Sequence, residues 1–153
     1  MVIDGQFLSK TSDMMHGCGA ASGSSNMFYI GVYNSKWIFR AGSKGSQPAN
    51  ADTNRHVFTV TPGTAMVGNT SYTLTGNQTS EGLELYLFGR KNASSISYTG
   101  GFKMYSCQIY QNNTLVRDFI PVKSNGVGCL YDKVTKQLFA NQGSGSFSCD
   151  PNV

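Results

Sequence analysis

Short alternating runs, each closed by a pair of turn-forming residues, commit this chain to β-structure. The stretch Phe102–Phe147 shows the pattern best. Phe102–Tyr110 alternates with period two: Tyr105, Cys107 and Ile109 share one face, and Met104, Ser106 and Gln108 the other. Asn112-Asn113 follows, a pair that tolerates the left-handed conformation of a hairpin turn. Thr114–Val122 resumes as a strand apolar on both faces, as expected of a central strand covered on both sides. Pro121 has no N–H to offer a ladder, so pairing is expected to fail there. Gly126–Tyr131 and Leu138–Ala140 read as further strands, with Asp132–Lys136 as the turn between them and Gly143-Ser144-Gly145 as a final break.

The upstream chain follows the same grammar. Asp4–Ser9 and Asp13–Gly19 read as strands, and Gly19–Ser25 as a flexible loop. Asn26–Tyr33 and Lys36–Gly42 form the clearest hairpin. A two-residue loop at Asn34-Ser35 sets Tyr33 opposite Lys36, Val32 opposite Trp37 and Ile30 opposite Phe39. Phe28, Ile30, Val32, Trp37 and Phe39 then share a core face, while Tyr29, Gly31, Tyr33, Lys36, Ile38 and Arg40 lie opposite. On this register Trp37 is a core residue rather than a stacking platform. Arg55–Val60 is the next strand, Pro62-Gly63 a turn, and Thr64–Gly68 with Ser71–Leu74 a hairpin across Gly68-Asn69. Gly82–Gly89 reads as a strand with Leu83, Leu85 and Leu87 on its core face and Glu84, Tyr86, Phe88 and Arg90 opposite. Ser43–Thr53 and Gly89–Gly101 are polar loops, the second long enough to suggest a function.

About ten to twelve short strands cannot lie in one open sheet without curling or splitting, so an all-β, two-sheet antiparallel β-sandwich is expected. No linker or internal repeat divides residues 1–153, which are read as a single domain able to bury roughly 70% of its unfolded-chain surface. Eighteen glycines and only 13% charged residues fit so many turns. The net charge of +4 is scattered, with Arg90-Lys91 the only adjacent cations, which argues against a nucleic-acid partner. The opening MVIDGQFLSK lacks the basic and apolar regions of a signal peptide, and no apolar run is long enough for membrane insertion by a helix.

The chemistry expected is non-catalytic. A retaining glycoside hydrolase needs two carboxylates about 5 Å apart. Glu81 and Glu84, the only glutamates, are three residues apart, on opposite faces of any strand. His16 and His56 have no Ser or Cys partner at a recognisable spacing. Cys18, Cys107, Cys129 and Cys149 lack the close pairing of a zinc site. Cys107 reads as a buried hydrophobe. A Cys129–Cys149 disulfide stays open, free thiols being the expectation. Asp118 and Asp132 read as turn and backbone-bonding residues rather than calcium ligands, because calcium needs six to eight oxygens. No metal and no cofactor are expected.

Two segments also carry a resemblance. MYSCQIYQNNTLVRDFIPV, followed by GVGCLYDKVTKQLFANQGSGSF, resembles the C-terminal half of concanavalin A-like (laminin G-like) jelly-roll domains. Such domains occur in tail, baseplate and decoration proteins of phage virions and in bacterial surface proteins. LELYLFGRKN and the strand pattern extend the likeness loosely upstream. Two departures stand out: the usual extra strand before Val2–Leu8 is missing, and Val122 stands where relatives often carry Cys. The resemblance implies a concanavalin A-like jelly roll, a module of a larger protein or assembly, at a virion surface or an extracellular or bacterial cell surface. A missing strand would leave a bare sheet edge, which invites association into oligomers or with other virion or surface subunits.

Glycan sites pair an aromatic face with Asn, Asp, Arg or Gln hydrogen bonds. Tyr29, Tyr33, Arg40, Tyr86, Arg90, Asn92 and Tyr98 supply those types at non-core positions. They read either as a binding site for a surface glycan or receptor, or as faces packed under loops or against another subunit, since interfaces favour the same amphipathic aromatics. The expected roles are therefore adhesion by carbohydrate binding, a purely structural virion part with no ligand, or a carbohydrate-binding module of a secreted enzyme.

Overall fold

A computed structural model describes residues 1–10, 15–22, 26–42, 45–75, 82, 84–92, 95–97, 99, 101–143 and 145–149. Among them are fifteen β-strands and no helix. The chain divides into two compact units, one of Met1–Asp4 with Met104–Val153 and the other Gly5–Lys103.

The larger unit holds two sheets. One runs from β1 (Val2–Phe7) through β6 (Arg55–Thr61) and β7 (Thr64–Val67) to β8 (Thr70–Thr73). The other contains β2 (Met15–Ser22), β3 (Asn26–Tyr33), β4 (Lys36–Ala41), β5 (Gly45–Ser46), β10 (Arg90–Asn92) and β11 (Ser95–Ser97) in the order β11-β10-β2-β3-β4-β5, and β9 (Tyr86–Leu87) also pairs with β2. Pairing is antiparallel except for a short parallel match of β10 with β2. The sheets meet through aromatic rings. Phe7 lies 5.9 Å from Trp37, 5.8 Å from Phe58 and 4.7 Å from Phe102, and Trp37 meets Phe58 edge-on at 5.2 Å. Gly5 and Gly17 leave room for the Phe102 ring, since a Cβ on Gly5 would come within 2.1 Å of it.

The β3–β4 hairpin has the expected register, with Tyr33↔Lys36, Val32↔Trp37 and Ile30↔Phe39. Asn34 and Ser35 take φ of 49° and 58°, the two positive angles that a type I′ loop requires. Ile30, Val32, Trp37 and Phe39 are buried as expected, and Phe28 is half-buried. The opposite face needs a correction: Tyr29 and Ile38 are buried there too.

Several element boundaries also differ. The first strand is Val2–Phe7 rather than Asp4–Ser9, and β2 runs on to Ser22 through the stretch read as a flexible loop. The strand expected over Gly82–Gly89 shrinks to Tyr86–Leu87. Phe88 adopts a φ of 62°, which reverses the chain and ends the leucine alternation. Leu85 and Leu87 are only half-buried, and Leu83 lies outside the described residues. The Gly89–Gly101 loop contains the β10–β11 hairpin, and the Ser43–Thr53 loop contains β5.

The smaller unit is a meander of β12 (Phe102–Gln111), β13 (Thr114–Ser124), β14 (Val127–Asp132) and β15 (Gln137–Phe139), with the first residues of β1 beside β12. Asn112 and Asn113 form the expected turn at φ 49° and 62°. Asn125 and Gly126, at φ 50° and 78°, form another, so Gly126 belongs to a turn and not to a strand. Pairing continues through Pro121, opposite Leu130, contrary to expectation. The β12 ladder ends at Cys107↔Phe119, so beyond it β13 is bonded on one side only. A residue whose N–H would face the unbonded side loses no ladder bond.

Candidate functional site

Four of the nominated residues come together on the outer face of the six-stranded sheet. Cross-strand partners run in one row: Arg40 opposite Tyr29, Tyr29 opposite Gly19, and Gly19 opposite Tyr86. Successive strands lie about 4.8 Å apart, so the row spans four strands at regular spacing. Glycine is required at its centre. A Cβ on Gly19 would sit 3.0 Å from Cβ and Cγ of Arg90 and from Cβ of Tyr29, so the stem of Arg90 occupies the dip that Gly19 leaves. Gly45, paired with Arg40, makes the same kind of room: an added Cβ would fall 2.6 Å from Arg40 Cδ.

The two guanidinium groups fix Tyr29. Arg40 Nε donates to the Tyr29 hydroxyl at 3.1 Å, and the Arg90 guanidinium lies 5.3 Å from the Tyr29 ring centroid, within cation–π range. Tyr29 is only 3% exposed, so it supports the arginines and offers no open face for a sugar ring. Tyr86 is the more accessible aromatic of the row. The Lys91 ammonium lies 5.5 Å from its ring centroid and pairs with Glu84. The hydrogen bond from Glu84, with its charge, raises the Lys91 pKa above the usual lysine value.

Tyr33 sits on the same strand face as Tyr29 but four residues further along β3, about 13 Å away, and is half-buried opposite Lys36. Asn92 is placed by its backbone in β10 opposite Ser95; its side chain and Tyr98 lie outside the described residues. Sequence reasoning did not nominate Lys91 or Glu84. The signal available was the adjacent pair Arg90-Lys91, whose two side chains serve neighbouring tyrosines.

Two acidic sites are used internally. In the smaller unit, Asp132 is fully buried. Its Oδ1 accepts from the N–H of Asp118 at 2.9 Å and of Val134 at 3.0 Å, and its Oδ2 from the Thr135 hydroxyl at 2.8 Å. The Val134 bond is the Asx-turn anticipated from LYDKV. Burial pushes the Asp132 pKa up, but the hydrogen bonds from Asp118, Thr135 and Val134 outweigh it and hold the carboxyl below its ordinary value. Asp118 pairs instead with Lys133 at 2.7 Å. In the larger unit, Asp52 Oδ1 meets His56 Nε2 at 2.8 Å, and the His56 ring packs edge-on against Trp37 at 5.7 Å.

All four cysteines are free thiols. Cys149 packs on the face of β14 left open by Gly128, where a Cβ would lie 2.5 Å from its Sγ. Cys129, the next residue, points to the other face of that strand, so the pair is not bridged. Burial pushes the Cys18 thiol up to about 12.

Comparison with known protein families, curated proteins and solved structures finds no match to this chain.

Proposed function

We propose that this chain is a non-catalytic concanavalin A-like jelly-roll domain that binds a glycan on a host or partner surface. The observation that carries the reading is the arginine–tyrosine row. Arg40 and Arg90 are fixed on Tyr29, which lowers the entropic cost of ordering them around a ligand. Tyr86 stands beside them as an aromatic face on which a sugar ring can lie. Display on a virion or bacterial surface, within a larger assembly, rests on the resemblance of the Phe102–Phe147 segment to such domains.

A glycan-array screen of the folded chain, run with calcium and again with chelator, tests the reading. The expected result is selective binding that survives chelation and is lost in Tyr86→Ala. A blank array from folded protein, at concentrations where weak lectins register, rejects it. The rival reading is a structural part of a virion with no ligand. The burial of Tyr29 and Ile38 favours that rival, because much of this sheet face is already covered.

A further inference from the structure

The charge of the row narrows the ligand. Arg40, Arg90 and Lys91 bring three cations to one neighbourhood, and Glu84 is the carboxylate that the described residues place there. Glu84 does not bond a guanidinium of the row in the printed geometry; it reaches Lys91, the most peripheral of the three. Both partners are open to solvent, the Glu84 side chain 69% and the Lys91 side chain 33% exposed. An ion pair so exposed holds its partners weakly, because water and salt compete for each charge.

Resting on the glycan reading above, we infer that the row recognises an acidic saccharide, whose anionic group displaces Glu84 from Lys91 and is held by Lys91 beside the Tyr86 ring. Glu84 is then a placeholder. It neutralises Lys91 in the empty site and yields to a ligand that brings both a negative charge and a ring to stack. Arg90 is nearly buried and carries its charge on the Tyr29 face, so it contributes attraction through a region of low dielectric rather than by swinging out. Arg40, half-buried at the other end of the row, is spaced to meet hydroxyls of a second sugar unit.

The chemistry shared by carboxylated and sulfated sugars is an anion on a pyranose ring, and the test separates them. The full chain is titrated with lactose, 3′-sialyllactose and 3′-sulfolactose by calorimetry, at low and at physiological salt. The expected result is that at least one acidic probe binds about tenfold or more tightly than lactose, the worth of one charge-assisted hydrogen bond. Lys91→Ala should remove that preference without abolishing residual lactose binding. Glu84→Gln should strengthen binding of the acidic probe by removing the internal competitor, while leaving lactose unchanged. A merely structural role for the Glu84–Lys91 pair predicts no gain. Equal binding of lactose and both acidic probes overturns the inference but leaves the glycan reading standing. No binding of any saccharide, here or on the array, overturns both. Weaker acidic binding in folded Glu84→Gln overturns the placeholder role.

Discussion

Removing the Asp132 carboxylate should cost more than any other single polar truncation in the smaller unit. Its two oxygens terminate three hydrogen bonds, from the Asp118 and Val134 N–H groups and the Thr135 hydroxyl, and the side chain has no exposure to water. A hydrogen bond to a charged group is worth about 1.5–3 kcal/mol, and a buried donor left without an acceptor keeps its desolvation cost. The Val134 and Thr135 donors lie nearer the turn and can turn to water, whereas the Asp118 N–H is inside the ladder. Asp132→Ala should therefore lose about 3–5 kcal/mol, a large part of the 5–15 kcal/mol typical of a domain. Asp132→Asn keeps an oxygen for the backbone donors and should lose about 1–2 kcal/mol. Urea unfolding followed by far-UV circular dichroism measures both, and amide exchange at Asp118 and Val134 reports the local effect. The pH dependence has a fixed sign. The folded pKa is depressed, so the carboxylate contributes fully above the ordinary value of 3.8 and its contribution fades as pH falls below that value through the folded pKa. Asp132→Asn should flatten that part of the acid limb. A stability change under about 0.5 kcal/mol in Asp132→Ala would refute the reasoning.

Other expectations follow from named contacts. Gly19→Val should destabilise by about 1–3 kcal/mol, because its Cβ alone meets Arg90 and Tyr29 at 3.0 Å, and thermal melts should show it. Asn113→Val forces a β-branched residue to a φ of 62° and should cost about 1–2 kcal/mol in urea unfolding, whereas Asn113→Gly should cost nothing. Thiol titration of native protein should show Cys149 reacting first, with buried Cys18, Cys107 and Cys129 reacting at comparable rates only in denaturant. Early labelling of Cys18 at neutral pH would contradict its burial.

Local chemistry explains what the sequence disclosed. The Asn26–Ala41 hairpin was readable because Asn34-Ser35 accepts two positive φ angles, which fixes the loop at two residues and hence the face of every side chain. Asp132 was readable because an Asx-turn is closed within three residues. The leucine triplet from Leu83 misled because alternation alone cannot show that Phe88 reverses the chain. Burial of Tyr29 was not readable at all. It depends on Arg90 crossing the dip at Gly19, a contact between segments far apart in sequence. The pattern put Tyr29 on the correct face but could not say what covers it.

The most direct test of the arginine–tyrosine row is an amide hydrogen-exchange footprint of the saccharide selected by the array. The account predicts slowed exchange confined to the β2, β9 and β10 backbone around Gly19 and Tyr86–Lys91, and no such protection in Tyr86→Ala. Protection lying instead in the Phe102–Phe147 segment, or a bound saccharide that leaves the row unchanged, would contradict it.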